Sequence, residues 1–480
     1  MTSEAVTFPL DYGGPATPFE PFPEDAANAS VGERLREVVR RYPDRLAIRD
    51  GETNLSFAEL QDLVDRIAAA AAAACPPPGV VAVLLPHSYR FVAAALGVLA
   101  AGHACVPLDA EHPADRNRRI ARHAGASAVV SAGAHAAEAR MLFGGELPVI
   151  DLDDLPAAAS PPPPPEAVAF ILYTSGSTGT PKGVYQNHRR LLENVAEWVN
   201  TGHIGPHDRL ALFYSPASIA GLCQLLMNLL VGSSLVVMAP ARLGAQALAR
   251  EVRRSGATWI NCSPTLFRHI VEALEPGEKL DDVRLVALGG ERVDWGVVDV
   301  LKRGCGPDAK LFVHMGATEA WALHSQWFVD EALRASSPQL PVGRSLPGRT
   351  VALLDEDGRP VPEGEAGEVV VCGRGLSLGY WREPELTARA FGVDPPSYRT
   401  GDLAIQRPDG LRVFAGRKDD QIKLHGYRMS RARWRLGSGR APACATRPSW
   451  CAAPRPGSRS PWRHTSSCSP TPPKTCTRAT

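Results

Sequence analysis

A loop of eleven residues, 173–183, constrains this chain more than any other segment. It reads Y-T-S-G-S-T-G-T-P-K-G and follows the apolar run 168–172, which predicts a strand that leads into the loop. Glycines let the backbone turn tightly and bring its N–H groups close to an anion. The Ser and Thr hydroxyls add donors, and Lys182 adds positive charge. The loop is therefore expected to hold a phosphate chain, such as that of a nucleotide.

Two other interpretations of glycine-rich sequence fit less well. A flexible Gly, Ser and Thr surface turn is the plain alternative for residues 173–183. The loop is not a Walker A sequence, because that pattern needs Ser or Thr directly after Gly-Lys, whereas Gly183 follows Lys182. A second glycine-rich stretch, residues 373–379, has the wrong spacing for a dinucleotide fingerprint, and no helix pattern follows it directly.

The loop closely resembles the signature of the adenylate-forming enzymes, which include acyl-CoA synthetases, luciferases and the adenylation domains of nonribosomal peptide synthetases. Further segments resemble the same family in the same order, and the resemblance covers roughly residues 30–429. These segments are 55–60 and 99–109 upstream, then G-G-E at 289–291, H-M-G-A-T-E at 314–319, G-E at 367–368, G-Y at 379–380, Y-R-T-G-D-L at 398–403 and G-R-K-D-D-Q-I-K at 416–423.

The resemblance implies that the chain joins a carboxylate to the α-phosphate of ATP and releases pyrophosphate, a reaction that depends on positioning and electrostatics. The implied phosphate-binding residues are Thr174, Ser175, Gly176, Ser177, Thr178, Gly179 and Lys182. The implied catalytic residues are Lys182, Thr318, which would reach the α-phosphate, and Glu319, which would hold Mg²⁺.

The resemblance also implies contacts to the rest of the nucleotide. Gly290 and Glu291 would lie beside the adenine, and Met315 replaces an aromatic residue that usually stacks on it. Asp402 matches the ribose-binding aspartate, although an aspartate that ends a turn is the plain alternative. Arg417 would contact ribose or phosphate rather than being a solvated charge. Asp419 resembles the hinge about which a C-terminal domain pivots.

The acyl pocket implied by the resemblance is mostly apolar with two polar side chains. Its residues are Ile219, Ala220, Cys223, Asn261, Ala287, Gly289, His314, Ala322 and Leu323. Ile219 stands where amino-acid-activating domains carry an aspartate for the substrate ammonium, and burying an unpaired ammonium is costly. We therefore expect an aryl or modest aliphatic acid, or an amino acid held in an unusual way. His314 could equally be a satisfied histidine in a packed loop.

Patterns along the chain predict an α/β fold in two blocks. Helical patterns alternate with apolar strands over residues 31–150, for example the strand predicted at 80–85, and again over 168–328, for example the strand predicted at 259–262. A proline-rich connector at 156–165 separates the blocks. Short strands with Gly and Pro turns then predict a small β unit. The resemblance implies a large N-terminal domain of two doubly wound α/β subdomains plus a small distorted β-barrel.

The expected domain boundaries follow from these patterns and from the resemblance. A leader, residues 1–29, precedes an AMP-forming adenylation domain, 30–415, with α/β subdomains at about 30–155 and 167–340 and the β unit at about 341–415. Residues 416–429 would hold the hinge and the start of the C-terminal α+β domain. The rest of that domain is expected to be essentially missing.

Residues 430–480 do not match the family. They hold ten Lys and Arg and no Asp or Glu, so the overall net charge of +1 conceals a charge of −9 on residues 1–429. We interpret this low-complexity basic tail as a shifted reading frame, because inserting one G after the Met429 codon permits family-like sequence when the codons that follow are suitably chosen. A natural disordered basic tail is the alternative. Loss of the family's C-terminal lysine predicts nucleotide binding with weak or undetectable adenylation.

The composition indicates which kinds of partner and ligand this chain is expected to bind. An acidic body offers no electrostatic footprint for nucleic acid, and the longest apolar stretch, 222–239, is interrupted by polar residues and predicts a buried helix and strand. Without an evident signal peptide, a cytoplasmic location is expected. The expected ligands are ATP, Mg²⁺ and a small carboxylic acid, with a carrier-protein phosphopantetheine thiol or CoA as acceptor. An acyl-CoA ligase or a nucleotide-binding protein without turnover remains an alternative.

Overall fold

The computed structural model describes residues 19–155, 163, 166–175, 181–346, 348–418, 421–424 and 427–430. Contacts divide the chain into a unit of residues 1–433 and a unit of residues 434–480, and the second unit lies outside the described residues. Residues 431–480 of the tail and the proposed hinge Asp419 also lie outside them. Among the described helices, none has both the length and the apolar character that crossing a bilayer requires.

Helices and strands alternate through the first three quarters of the chain. The α-helices are α1 Val31–Arg41, α2 Phe57–Ala74, α3 Tyr89–Ala100, α4 Ala114–Ala124, α5 Gly133–Phe143, α6 His188–Gly202, α7 Ile219–Leu229, α8 Ala245–Ser255, α9 Pro264–Glu272, α10 Gly296–Gly304 and α11 Pro384–Ala390. Short 3-10 helices span Glu24–Asn28 and Glu331–Ala335.

The β-strands are β1 Leu46–Asp50, β2 Thr53–Ser56, β3 Val80–Leu85, β4 Ala104–Asp109, β5 Ala128–Ser131, β6 Val149–Asp151, β7 Val168–Ser175, β8 Pro181–Asn187, β9 Arg209–Leu212, β10 Ser234–Val237, β11 Trp259–Cys262, β12 Leu285–Leu288, β13 Lys310–Ala317, β14 Ala322–Phe328, β15 Arg344–Ser345, β16 Arg349–Leu354, β17 Ala366–Gly373, β18 Phe391–Val393, β19 Pro396–Gln406, β20 Arg412–Arg417, β21 Gln421–Leu424 and β22 Tyr427–Ser430.

Local sequence explains where helices begin. Ser30 and Ser56 each accept a hydrogen bond from the backbone N–H of a glutamate three residues on, and the side chain of each glutamate accepts one from the serine N–H. These capping boxes satisfy N–H groups that a helix start leaves without a partner. Asn187 caps α6 through its side chain. The polar residues that open these helices therefore position the elements that follow them.

Two large sheets form the α/β body. A six-stranded sheet has the order β6-β5-β3-β4-β7-β8, and a nine-stranded sheet has the order β15-β14-β13-β12-β11-β9-β10-β1-β2. Both are parallel at the centre. The nine-stranded sheet has antiparallel strands at both edges, whereas the six-stranded sheet has one at the β8 edge and a parallel strand, β6, at the other. This confirms the predicted doubly wound α/β class.

Each of the two sheets contains strands from both sequence blocks. Strands β1 and β2 come from the first block but extend the nine-stranded sheet through parallel pairing of β1 with β10. Strands β7 and β8 come after the proline-rich connector but extend the six-stranded sheet through β4. The expected subdomain segments, about 30–155 and 167–340, therefore do not map one to one onto the two sheets.

Helices fill the space between the sheets. Every residue from Phe91 to Ala100 of α3 is buried, and so is every residue from Gly221 to Leu229 of α7. A helix that is apolar on all sides belongs inside a fold rather than on its surface. These two helices share one core with α1, α2 and α6, while α4 and α5 cover the outer face of the six-stranded sheet and α8 to α10 that of the nine-stranded sheet.

Strand β3 shows how a parallel strand is buried on both faces. Val81, Val83 and Leu85 face the core between the sheets, whereas Val80, Ala82 and Leu84 face α4 and α5. Alternating side chains of a strand point to opposite faces, so a continuous apolar run is needed where helices cover both. The run predicted at residues 80–85 coincides with β3, and the predicted strand at 259–262 coincides with β11.

A smaller antiparallel sheet, β16-β17-β19-β18 with β20 on β19, forms the predicted β unit. Its core contains Val351, Leu353, Val369 and Val371. The loop after β17 pairs with β8 of the six-stranded sheet through Val184 and Tyr380. This pairing brings side chains of the β unit to the body of the protein.

Candidate functional site

A cavity of ≈ 590 Å³ opens between α7 and the carboxyl ends of strands in the nine-stranded sheet. Parallel strands place the loops that follow them at one edge, and ligands of open α/β sheets bind at such an edge. The wall includes Ile219 and Cys223 of α7, Asn261 of β11 and the turn after β12. This volume lies in the range of small-molecule sites.

Most residues of the predicted acyl pocket line this cavity. They are Ile219, Ala220, Cys223, Asn261, Gly289, His314 and Leu323. Ala287 does not line it, since its side chain lies fully buried in the core between the sheets. Ala322 has its backbone in β14, paired with Ala317, and its side chain lies outside the described residues. The structure thus brings seven of the nine predicted residues together around one space.

His314 packs against a glycine that leaves room for it. A Cβ built on Gly289 would lie 2.3 Å from His314 Cε1, so a larger residue would displace the imidazole. His314 Nε2 lies 3.3 Å from Asn261 Oδ1, and its ring meets that of Trp198 edge to face with centroids 5.2 Å apart. His314 therefore has packed neighbours and also borders the cavity. Both alternatives given for it, a satisfied packed histidine and a pocket residue, describe part of its position.

The cavity is also lined by three residues that were not predicted from the sequence, Trp198, Tyr214 and Ser218. Trp198 belongs to α6, whose apolar residues recur at helical spacing, and such a residue usually indicates core. Ser218 caps α7 by accepting from Gly221 N–H. Burial raises the pKa of Tyr214, so its hydroxyl remains protonated. A serine before an apolar helix was the only sequence signal among these three.

Three residues connect the cavity to the predicted phosphate-handling groups. Thr318 lines the cavity, and the next residue, Glu319, is 3% exposed. The Tyr380 hydroxyl donates to Glu319 Oε1 at 3.1 Å. Burial, and then the nearby Glu319, raises the pKa of Tyr380, which keeps this donor protonated. Lys182 Nζ lies 5.4 Å from the centroid of the same tyrosine ring.

The predicted phosphate loop connects two antiparallel strands. Thr174 of β7 pairs in register with Lys182 of β8, so both residues lie at the mouth of the connection. Of the loop itself, Gly176, Ser177, Thr178 and Gly179 lie outside the described residues, as does the side chain of Ser175. The strand predicted at residues 168–172 is confirmed as β7.

Asp402 and Arg417, both predicted to contact nucleotide, form an ion pair. They face each other in register on β19 and β20, and Arg417 Nη1 donates to Asp402 Oδ1. Asp402 is 1% exposed, and its Oδ2 is buried without a hydrogen-bond partner in the described part of the chain. A buried carboxylate oxygen without a donor is costly, which fits a site that a ligand hydroxyl completes.

The three residues expected near the adenine do not all line the cavity. Gly290 lines the cavity at a φ of +79°, a conformation that favours glycine. Glu291 Oε2 accepts from Thr265 Oγ1 at 2.7 Å. Met315 is buried on β13 and is not among the described residues that line the cavity. Among these three, only Gly290 borders the cavity.

A buried ion pair lies behind the cavity wall. Arg349 Nη2 lies 3.1 Å from Glu197 Oε2, and the Arg349 side chain is fully buried. Arg349 Nη1 donates to the carbonyls of Ala320, at 2.9 Å, and Leu323. Ala320 belongs to the connection that also carries Thr318 and Glu319, and Leu323 follows this connection on β14. The pair therefore anchors that connection to α6 and β16.

The fold and the site define an α/β protein with an acyl-sized cavity next to candidate phosphate-binding groups. The family described as AMP-binding enzyme matches residues 35–381, more than half of the chain. Novobiocin biosynthesis protein H of Streptomyces niveus is 31% identical over 424 residues, which cover 84% of this chain and 68% of that protein. The chain belongs to the AMP-binding enzyme family.

Other relatives are much longer than this chain. Malpibaldin synthetase of Mortierella alpina is 32% identical over 425 residues, which cover 85% of this chain and 8% of that protein. Tyrocidine synthase 1 of Brevibacillus parabrevis is 29% identical over 418 residues, or 84% of this chain and 37% of that protein. The chain thus spans less than two thirds of these two relatives.

Solved structures of similar fold include proteins with bound ligands. The N-terminal subdomain of Klebsiella oxytoca NpsA in complex with 3-hydroxybenzoyl-AMSN has a TM-score of 0.68 and 27% identity, covering 81% of this chain and 100% of that one. The AMPPNP-bound nonribosomal peptide synthetase FmoA3 has a TM-score of 0.74 and 26% identity, covering 85% and 44%. PA1221, which contains adenylation and PCP domains, has a TM-score of 0.74 and 25% identity, covering 87% and 73%.

Proposed function

We propose that this chain binds ATP and a small carboxylic acid and joins them into an acyl-AMP with release of pyrophosphate, as in nonribosomal peptide biosynthesis. One observation carries the proposal: two consecutive residues lie at the cavity and beside the candidate phosphate-binding lysine. Thr318 borders the cavity for the acid, and Glu319 is tied through Tyr380 to the ring over which Lys182 lies. Membership of the AMP-binding enzyme family and the AMPPNP-bound FmoA3 neighbour support the nucleotide.

The proposed step needs positioning more than proton transfer. An oxygen of the acid's carboxylate attacks the α-phosphorus, a new P–O bond forms, and the bond to the β-phosphate breaks as pyrophosphate takes the electron pair. Two anions must approach each other while charge builds on the phosphoryl oxygens, so fixed donors and cations lower the barrier. Thr318 would donate its hydroxyl to the α-phosphate, and Lys182 would supply positive charge.

The remaining site residues are proposed to bind the nucleotide. Asp402 would accept a ribose hydroxyl on its Oδ2, since Arg417 occupies its Oδ1. Gly290 would leave space beside the base. The connection at residues 176–179 would hold the β- and γ-phosphates with Thr174 and Lys182. The predicted domain boundaries and the hinge at Asp419 belong to the same proposal.

Magnesium fits as an ion carried mainly by the nucleotide. The described residues contain no group of three or more His, Cys, Asp and Glu side chains that could hold a metal alone. A buried carboxylate at Glu319 can add one oxygen ligand to those of phosphate and water, which suits Mg²⁺. When bound, the ion would neutralise charge on the phosphates.

The acceptor of the acyl group is proposed to be a carrier-protein phosphopantetheine thiol, with CoA as the alternative. The PA1221 neighbour, which contains adenylation and PCP domains, supports a carrier protein. Loading assays with a carrier protein and with CoA would separate the two acceptors.

Calorimetry and isotope exchange test the proposal together. The chain should bind ATP and acyl-sulfamoyl adenosine mimics, and pyrophosphate exchange should depend on added acid. Because the sequence predicts weak turnover, exchange from a frame-restored gene gives the reference rate. Thr318→Ala should lower exchange about a hundredfold while ATP binding changes only a few-fold. Binding without exchange in either form would favour a nucleotide-binding protein without turnover, and absence of ATP binding would contradict the proposal.

A further inference from the structure

One wall of the cavity presents a buried amide whose donor has no protein partner. Asn261 is 3% exposed and borders the cavity. Its Oδ1 lies 3.3 Å from His314 Nε2, an arrangement in which the imidazole N–H donates and the amide oxygen accepts. In the described part of the chain, Asn261 Nδ2 donates to no side chain or carbonyl. A donor at the cavity wall on an otherwise buried side chain favours a ligand that brings an acceptor.

The cavity offers no charge to a substrate ammonium. None of the described residues that line it is Asp, Glu, Lys or Arg, and Ile219 occupies the first turn of α7. The carboxylate of Glu197, one residue before Trp198, does not line the cavity and is paired with Arg349 at 3.1 Å. An ammonium would lose its hydration there without gaining a counter-charge. The acid should therefore carry no such group.

The walls suit a flat ring. Trp198 and His314 present their rings edge to face with centroids 5.2 Å apart, and Gly289 and Gly290 leave the adjoining wall without side chains. Aromatic rings pack favourably against other rings in edge-to-face or offset geometry. Ile219, Cys223 and Leu323 add apolar surface. A planar aromatic acid fills such a space better than a branched aliphatic acid.

We propose that the acid is an aryl carboxylic acid without an ammonium group, whose ring hydroxyl accepts a hydrogen bond from Asn261 Nδ2. This inference rests on the proposed function, because it assigns the substrate class of the same site. In it, the carboxylate points to Thr318 and the ring lies between α7 and the glycines that follow β12. Asn261 sets specificity and takes no part in the bond-forming step.

Calorimetry on the full chain tests the inference with sulfamoyl adenosine probes, so that turnover is not needed. The probes are the 2-, 3- and 4-hydroxybenzoyl, benzoyl and phenylalanyl derivatives, with ATP measured in parallel. The tightest hydroxybenzoyl isomer should bind about tenfold more tightly than the benzoyl probe, as expected for one added hydrogen bond at the cavity wall. The phenylalanyl probe, with its ammonium, should bind at least about tenfold more weakly than the benzoyl probe.

Two variants locate the effect. Asn261→Ala should reduce the hydroxybenzoyl preference to about one while benzoyl binding changes only a few-fold. Ile219→Asp should strengthen phenylalanyl binding about tenfold or more by supplying a counter-charge. Asn54→Ala, at an exposed position of β2, is the matched control and should leave all affinities unchanged.

The outcomes separate this inference from the proposed function. Equal binding of the hydroxybenzoyl and benzoyl probes would overturn the hydrogen bond between a ring hydroxyl and Asn261. Tightest binding of the phenylalanyl probe would overturn the substrate class, and both outcomes would leave acid activation intact. An unchanged hydroxybenzoyl preference in Asn261→Ala would also overturn it. Failure to bind any acyl probe would instead contradict the proposed function itself.

Discussion

Tyr380 donates its hydroxyl to Glu319 Oε1 at 3.1 Å, so the β unit supplies a hydrogen bond to a buried carboxylate of the α/β body. The tyrosine reaches this place because its loop pairs with β8, where Trp381 N–H donates to the Gly183 carbonyl at 2.6 Å. The same strand carries Lys182. One loop therefore orients both a candidate metal-binding carboxylate and a candidate phosphate-binding lysine.

Replacing Tyr380 should weaken ATP binding in two steps. Tyr380→Phe removes the hydroxyl but keeps the ring near Lys182, and we expect about tenfold weaker binding of Mg²⁺-ATP. Tyr380→Leu also removes the ring and should weaken binding further. Calorimetry measures both, with Tyr185→Phe on β8 as the matched control. Equal affinities for Tyr380→Phe and the unaltered chain would show that the hydroxyl does not orient Glu319 for the nucleotide.

Asp402→Asn should weaken AMP and ATP binding by about tenfold or more. The amide keeps the shape but loses the charge that pairs with Arg417 and one acceptor for a ribose hydroxyl. Calorimetric titrations with AMP, ATP and pyrophosphate separate ribose from phosphate contacts, since pyrophosphate has no ribose. Asp409→Asn, on a more exposed turn, is the control. AMP affinity unaffected by Asp402→Asn would rule out the ribose role.

Gly289→Ala should destabilise the protein by about 1–3 kcal/mol and reduce binding of acyl-sulfamoyl adenosine mimics. The new methyl group would lie 2.3 Å from His314 Cε1 and 2.8 Å from the His314 carbonyl oxygen, so the imidazole and backbone must shift. Urea denaturation gives the stability change. Gly205→Ala, where nothing lies within 4 Å of the added carbon, should change neither property. Normal mimic binding by Gly289→Ala would mean that His314 can move without loss.

Arg349→Met should cost about 3–5 kcal/mol of unfolding free energy, because it leaves the buried Glu197 carboxylate without its cation. Burial raises the pKa of Glu197 to about 7, and Arg349 opposes this rise. Adding Glu197→Gln to Arg349→Met should therefore recover part of the loss. Urea denaturation of the single and double variants measures the coupling. Additive losses would show that the two residues do not stabilise each other.

Stability should fall as the pH drops from about 6.5 to 4, in part through His188. Burial lowers the pKa of His188 to about 4, while an unfolded histidine titrates near 6.5. The unfolded chain then binds more protons, so His188 stabilises the fold fully above pH 6.5 and loses up to about 3 kcal/mol by pH 4. His188→Gln should flatten this part of the pH dependence of unfolding, and the exposed His207→Gln should not. Identical pH slopes in the unaltered chain and His188→Gln would refute the assignment.

Residue pattern predicted the elements well where local chemistry decides them. Strands β3 and β11 lie where apolar runs placed them, since parallel strands covered on both faces need such runs. The apolar stretch 222–239 folds as α7 and β10, as predicted. Family resemblance added the pocket positions, and seven of those nine border the cavity.

Contacts between distant segments could not be read from the sequence. Trp198 looks like any apolar residue of a helix, and its place beside His314 depends on packing across more than a hundred residues. Arg349 and Glu197 lie on a strand and a helix that are far apart in the chain, so the local sequence around neither residue predicts their ion pair. Ala287 lies on a strand next to the cavity, but its side chain points into the core.

The exchange of strands between the two sheets has a consequence for how the body can be divided. Because β1 and β2 complete the larger sheet while β7 and β8 complete the smaller one, a single backbone break between β6 and β7 leaves each fragment threaded into both sheets. The two fragments would stay associated after such a cut, because each contributes strands to both sheets. Either fragment expressed alone would lack strands of both sheets.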